Sequence, residues 1–323
     1  MSTVASGRTI GIDLGGTKCY GVVADADGTV LTQHRLPTPS GEAAIIDTIV
    51  AVVSELRRWE GGGDPATAAG VGVPGLVDNE GVLRFAPNLP GVFGLPVKTE
   101  LERRVPGVAF RIENDATSAA WGERVYGAAK GSDHAVLVTL GTGIGGGFIA
   151  DGRLLRGAHG FAGEIGHMVV DPNGPWCRCG ARGCWERFAS GTGLGNLARE
   201  AAAAGKGARM VELAGGDPEA VRGEHVTTAA VEGDEEARFV LRRFGWWLAL
   251  GLANLANVLD PDTFVIGGGL VEAGDVLLDP AREAFASLVE ASDHRPEIAI
   301  VAAHLGERAG AIGAANLAAG MQT

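Results

Sequence analysis

Cysteine is scarce in this chain, with four among 323 residues. A framework of disulfides typical of small secreted domains is therefore excluded. Lysine is equally scarce: Lys18, Lys98, Lys130 and Lys206 stand against 23 arginines. Positive charge is short overall, and the formal net charge of −12 argues against extended contact with nucleic acid or anionic lipid. There is no long hydrophobic run either. The most apolar stretch, WWLALGLANLANVL (246–259), is interrupted by Asn254 and Asn257 and falls short of the ~20 residues a membrane span needs. It reads as a core helix stopped by Pro261, with Asp260 held away from the helical region. The N-terminus lacks a basic start followed by an apolar run, so no secretory signal is expected. A cytoplasmic protein with no membrane and no nucleic-acid partner is the expectation.

What the chain does have is length enough for two domains, at ~100–200 residues each, and local concentrations of unusual residues. Three of its four cysteines fall in CRCGARGCWE (177–186). Such a cluster is more often a metal site or redox centre than a disulfide. Cys177 and Cys179 are one residue apart, and Gly180 and Gly183 let the backbone turn so that Cys184 converges on them. The nearest upstream imidazole is His167, in GEIGHMVV. His167, Cys177, Cys179 and Cys184 make a Cys3His set, a structural zinc composition with no open position; a redox pair is the alternative. Glu164 and Glu186 flank this loop. Tying it around one metal gathers two carboxylates and an imidazole, a group suited to a polyhydroxylated ligand.

Two segments resemble each other: TIGIDLGGTKCYGVVADADGTVL (9–31) and AVLVTLGTGIGGGFIADGRLL (135–155). Each reads as strand, glycine-rich turn with a threonine, strand, Asp-Gly turn and a third strand start. The repetition suggests two domains of one plan. Such turns let backbone N–H groups approach an anion, and Asp13 beside Lys18 strengthens the first. Neither fits a P-loop or a Rossmann fingerprint, because strand residues continue where a helix should begin. Helices are expected at about 42–60, 95–104, 193–204, 234–258, 275–290 and 308–319, with strands ending at VGVPG and at 108–112, 262–266 and 297–301. The class is α/β. Asp115 follows the strand AFRIEN at a helix start shared with Asn114, Thr117 and Ser118. Ends of α/β strands are where functional groups sit. A cap is the plain reading of this aspartate; a base for a substrate hydroxyl attacking a γ-phosphate is the other. Asp13 would then help hold Mg2+.

Together IDLGGTK, VGVPGLVD, ENDA, LGTGIGGG, GEIGH, CRCGARGCWE and DTFVIGGG, in this order, resemble the ROK family (repressors, open reading frames and kinases) over essentially the whole chain. The likeness is strongest to members that phosphorylate glucose. It implies an actin-like, ribonuclease-H-type fold with an interdomain cleft, divided as 1–120 plus 308–323 and 121–307. It implies phosphorylation of glucose at the 6-hydroxyl with ATP and Mg2+ beside a structural Zn2+. Carried over, Asp115 is the base; Gly75, Asn114, Glu164, His167 and Glu186 meet the sugar. Asp13, Gly15, Gly16, Thr17 and Lys18 form the first phosphate segment and Thr142, Gly143 and Gly145 the second, with Gly267 and Gly268 near adenosine. One departure is Val92 before Phe93, where members often carry an aromatic residue directly after Asn-Leu-Pro-Gly. The family often forms homodimers or homotetramers. Kinases of fructose, mannose or an N-acetylhexosamine, and a sugar-responsive regulator, are the competing readings; polyphosphate is a competing donor.

Overall fold

Isoleucine and leucine at every second position make TIGIDL a strand with one apolar face, and Ile10, Ile12 and Leu14 are indeed fully buried. The structure is a computed structural model that describes residues 7–59, 61 and 65–321. Thr9–Leu14 (β1), Lys18–Ala24 (β2) and Val30–Pro37 (β3) form an antiparallel meander. Helix α1 (Glu42–Arg57) follows, and then Ala68–Val73 (β4) returns parallel to β1. Three short strands, Leu76–Val77 (β5), Leu83–Phe85 (β6) and Phe93–Leu95 (β7), make a separate small sheet. Helix α2 (Val97–Arg104) leads to Ala109–Asn114 (β8), parallel to β4, and to α3 (Asp115–Tyr126).

The first sheet has the order β3-β2-β1-β4-β8. A second sheet is built from Ala135–Leu140 (β9), Ile144–Ala150 (β10), Arg153–Leu154 (β11), Thr263–Gly267 (β12) and Ala299–Ala302 (β13). Its order is β11-β10-β9-β12-β13, the same plan as the first. The sequence repeat is thus a topological repeat, and the class is α/β. Between β11 and β12 come the cysteine loop and five helices: α4 (Glu186–Ala189), α5 (Gly191–Ala203), α6 (Ala208–Leu213), α7 (Gly223–Val231) and α8 (Glu235–Leu259). Helix α9 (Asp275–Leu288) precedes β13, and α10 (Ala309–Ala319) ends the described chain.

Two compact units result. One comprises the chain through Asp133 with Gly147–Gly163 and His304 onward; the other comprises His134–Gly146 and Glu164–Ala303. In the first, α1 covers one face of the sheet with Ile45, Ile49, Val52 and Val53. On β1 and β4 the residues opposite these are glycines, and α10 lies directly on the backbone there. A Cβ on Gly11 would sit 1.8 Å from the Ala311 carbonyl oxygen, and one on Gly70 1.9 Å from that of Ala314. The alanine-rich α10 is the matching small surface. In the second unit α8 begins under an Asp234 cap, whose Oδ1 accepts from the Ala237 N–H. It ends at Asp260, which turns into the left-handed region at φ 46°, away from the helical region as expected before Pro261. No helix among the described residues is long and apolar enough to cross a membrane.

Candidate active site

The β1–β2 turn of the first unit is locked at its base. The Gly15 N–H donates to the Lys18 carbonyl at 2.8 Å, the Thr38 hydroxyl donates to the Gly15 carbonyl at 2.7 Å, and the Thr38 N–H donates to Thr17. Gly16 and Thr17 stand exposed at the tip. Lys18 does not hang free: its ammonium meets Glu307 at 2.6 Å, and Glu307 also holds Arg35 at 2.8 Å. Asp13, one residue before the turn, faces α10, whose Gly310 has room for no Cβ beside the carboxylate. Burial, and then the negative charge of Asp115, push Asp13 up to about 7, against the opposing pull of Lys18. Asp13 and Asp115 are therefore electrostatic neighbours, and a carboxylate so crowded by negative charge is a good oxygen ligand for a divalent cation.

Asp115 is the first residue of α3, but the cap is Asn114, whose Oδ1 accepts from the Thr117 N–H at 2.9 Å. The same Asn114 donates from Nδ2 to the Gly75 carbonyl at 3.1 Å. Gly75, with φ 104°, has the Phe85 carbonyl oxygen where a Cβ would stand, at 2.2 Å. The chain here can be nothing but glycine. Asp115 itself accepts from the Ala116 N–H at 2.8 Å. Burial raises its pKa, although backbone and Asn114 hydrogen bonds oppose the rise. The reading of Asp115 as only a cap is thereby replaced: Asn114 caps, and the aspartate is left as a desolvated carboxylate at a helix start.

In the second unit His167, Cys177, Cys179 and Cys184 bring one ligand atom each within 4.8 Å of the others. His167 Nδ1 lies 3.7 Å from Cys177 Sγ, and Cys179 Sγ lies 3.5 Å from Cys184 Sγ. Tetrahedral zinc with its usual Zn–S and Zn–N lengths requires ligand separations of roughly 3.5–3.8 Å, so the donor set and its spacing fit zinc. The other ring nitrogen, Nε2, faces Glu164 at 3.7 Å. The loop owes its shape to Gly183 at φ 68°, where a Cβ would fall 1.5 Å from the Asp171 carbonyl oxygen. Between the last cysteine and Glu186 stands Trp185, fully buried, its indole N–H donating to the Trp247 carbonyl at 2.8 Å. Glu186 Oε1 lies 3.0 Å from Cys177 Sγ, and its Oε2 would lie 2.5 Å from a Cβ on Gly143. The acidic end of the cysteine loop and the second glycine turn are thus adjacent.

That turn borders a cavity of about 900 Å3. Thr142 lines it, together with Gly141, Thr192, Gly223 and Leu270. The turn is held by the Gly191 N–H donating to Gly141 at 2.8 Å and the Thr192 hydroxyl donating to the Thr142 carbonyl at 2.7 Å. Gly145 donates instead to Thr139 Oγ1 within the hairpin at 3.2 Å. Gly267 is buried at the end of β12, and Gly268, at φ 87°, turns the chain against Leu140; the cavity wall is made by the next residues, Gly269 and Leu270. Arg199, Arg222 and Thr192 had no expected role. No motif marks the two arginines; Thr192 lies in SGTGLG (190–195), a capped, glycine-rich helix start in which Ser190 Oγ accepts from the Gly193 N–H.

Comparison with known proteins bears on the family and the fold. The ROK family model matches residues 9–321. A glucokinase of Streptomyces coelicolor is 41% identical over 315 residues, 97% of this chain and 98% of that protein. An N-acetylmannosamine kinase of Escherichia coli is 36% identical over 320 residues, 97% of this chain and 98% of that protein. The structure of a ROK family glucokinase from Streptomyces griseus in complex with glucose and AMPPNP matches with a TM-score of 0.87 at 40% identity, covering 98% of this chain and 100% of that one. The paired sheets are those of the actin-like α/β fold. With its model matched almost end to end, this chain belongs to the ROK family.

Proposed function

We propose that this protein is an ATP-dependent glucokinase, transferring the γ-phosphoryl group of MgATP to the 6-hydroxyl of glucose. The observation that carries the reading is full-length identity of 41% to a glucokinase, in a chain that presents a desolvated aspartate at the start of α3. Phosphoryl transfer asks a protein chiefly for positioning, charge stabilisation and one carboxylate to orient the nucleophile. Asp115 accepts the proton of the 6-hydroxyl as it attacks. Asn114, Glu164, His167 and Glu186 hold the other hydroxyls, and Gly75 keeps the backbone close to the sugar. Gly15, Gly16, Thr17 and Lys18 form one phosphate segment and Thr142, Gly143 and Gly145 the other. Gly267 and Gly268 shape the adenosine end, Asp13 takes Mg2+, and Zn2+ on the Cys3His set cross-links the loop that carries Glu186. Lys18 reaches a phosphate by exchanging its exposed Glu307 partner, a change that costs little because such surface pairs are worth about 1 kcal/mol or less.

The test is ADP release from MgATP with glucose, mannose, fructose, N-acetylglucosamine and N-acetylmannosamine. A clear preference for glucose is expected. The 36% identity to an N-acetylmannosamine kinase favours the second reading, another hexose as acceptor; preference for that sugar would move the substrate and keep the mechanism. No turnover with any of them would refute the kinase reading with ATP. We infer as well that the chain forms a homodimer or homotetramer, because α8 leaves Phe239, Trp246 and Val258 exposed. Sedimentation of a monomer at micromolar concentration would overturn that.

A further inference from the structure

We propose that the first unit carries an anion site, distinct from the residues assigned to sugar and nucleotide, that takes a small phosphate-bearing ligand through Lys98 and Arg111. A cavity of about 290 Å3 lies where the turn at Asp78–Gly81, α2, β8 and the segment from Arg156 to Gly160 meet. Five of its side chains are charged: Lys98, Arg111 and Arg156 against Asp78 and Glu113. Both acids are already used. Asp78 Oδ1 accepts from the Glu80 and Val82 N–H groups at 3.0 and 2.9 Å, and its Oδ2 accepts from Arg84 at 2.6 Å. The buried Glu113 accepts from Arg156 Nε at 2.5 Å. The side chains of Lys98 and Arg111 are left with no hydrogen-bond or ion-pair partner among the described residues, and both residues are half-buried.

Two partly desolvated cations with no ion-pair partner of their own are costly to hold, and in a protein of net charge −12 they are not explained by a general excess of base. Burial, and then the Arg156 charge, push the Arg111 guanidinium below its ordinary pKa, with Glu113 working the other way; arginine nonetheless stays charged. A guanidinium fork beside an ammonium matches a dianionic phosphoryl group in charge and in donor geometry. The walls are preformed. Asn79 Nδ2 donates to the Ala158 carbonyl at 3.0 Å, and Gly160 packs so close to Val77 that a Cβ would lie 2.6 Å from its carbonyl oxygen. An occupant would rest on β8, the strand that ends in Asn114 and hands the chain to Asp115. The inference is independent of the proposed kinase activity, which assigns none of these side chains.

The experiment is calorimetric titration of the full chain, presaturated with glucose and AMPPNP, with inorganic phosphate and separately with glucose 6-phosphate. One saturable site with a Kd of about 1 mM or tighter is expected, weakening as salt is added. Arg111→Met and Lys98→Met, each checked for a native melting transition, should weaken it about tenfold or more. Arg111→Lys, which keeps charge and loses the fork, should fall between. Binding of phosphate alone assigns a free-ion site; tighter binding of the sugar phosphate assigns the phosphate end of a metabolite. No saturable heat from the wild-type chain up to about 20 mM of either, or an unchanged Kd in both methionine variants, overturns the proposal.

Discussion

Asp13→Asn separates what the fold wants from what the chemistry wants. In the absence of a cation, burial and then Asp115 raise the Asp13 pKa from 3.8 to about 7. The folded state therefore binds this proton more tightly than the unfolded chain between about pH 4 and pH 7, so stability falls as pH rises through that window. About three pH units at about 1.4 kcal/mol each amount to a penalty near 4 kcal/mol above pH 7. Because Asp13 and Asp115 titrate as neighbours, that figure is an upper bound shared by the pair. The substituted amide is almost isosteric and cannot ionise, so it escapes the penalty. Urea unfolding in magnesium- and nucleotide-free buffer should show a variant little different from wild type near pH 4.5 and more stable by a few kcal/mol at pH 8. Added Mg2+ should narrow the gap by stabilising the wild-type carboxylate, while kcat of the variant falls at least about 100-fold. A difference independent of pH, or a variant less stable at pH 8, would refute the assignment of a desolvated, cation-accepting carboxylate.

Asp115→Asn should lower kcat by about three orders of magnitude while the glucose Kd from calorimetry moves by no more than about threefold; an active variant would sink the base assignment. Since burial raises the Asp115 pKa, the wild-type kcat/KM should decline on the acid side through a pKa above the ordinary aspartate value, as the base becomes protonated. A pH–rate profile flat down to pH 4.5 contradicts this. Cys184→Ser should take bound zinc, measured by metal analysis, from one per chain to near zero and weaken glucose binding about tenfold or more; full affinity without metal would count against the staple. Gly183→Ala, whose new methyl meets the Asp171 carbonyl, should cost about 2 kcal/mol or more and release zinc on the same assay; a variant that keeps its metal and melting point would dismiss the argument from the left-handed turn.

The parts of the fold legible in the sequence were those with long periodic patterns. The meander over 9–37, α8 and the repeat of sheet order follow from alternation, turn glycines and helical spacing that extend over many residues. The small sheet of β5, β6 and β7 escaped, because its strands of two and three residues carry no alternation to read. Helices α6 and α7 escaped too; glycines at 205, 207, 215, 216 and 223 break that stretch into pieces too short for a helical face to appear. At the site the Cys3His cluster was legible because four metal-ligating residues, one histidine and three cysteines, crowd together. The wall made by Thr192, Arg199 and Gly223 was not, since those residues share neither type nor spacing and meet only through the packing of α5 against α7.

Trp185 shows why the order Cys-Trp-Glu carries meaning that its parts do not. A zinc loop by itself fixes its own turns and leaves its exit free to swing. Here the exit residue is a fully buried indole, hydrogen-bonded to the Trp247 carbonyl and laid against Gly251 so closely that a Cβ there would meet the ring at 2.0 Å. Truncating a buried tryptophan costs about 3–5 kcal/mol, so α8 holds the loop with an energy comparable to many surface contacts combined. Glu186 is the next residue, and it starts α4 with one oxygen against Cys177 and the other beside Gly143. With zinc on the Cys3His cluster its carboxylate would be set from two sides, by metal ligation through Cys184 and by apolar burial through Trp185. Either anchor alone leaves a rotation about the remaining one. Two anchors on adjacent residues remove it, and that is what a carboxylate needs if it is to meet a sugar hydroxyl in one direction only.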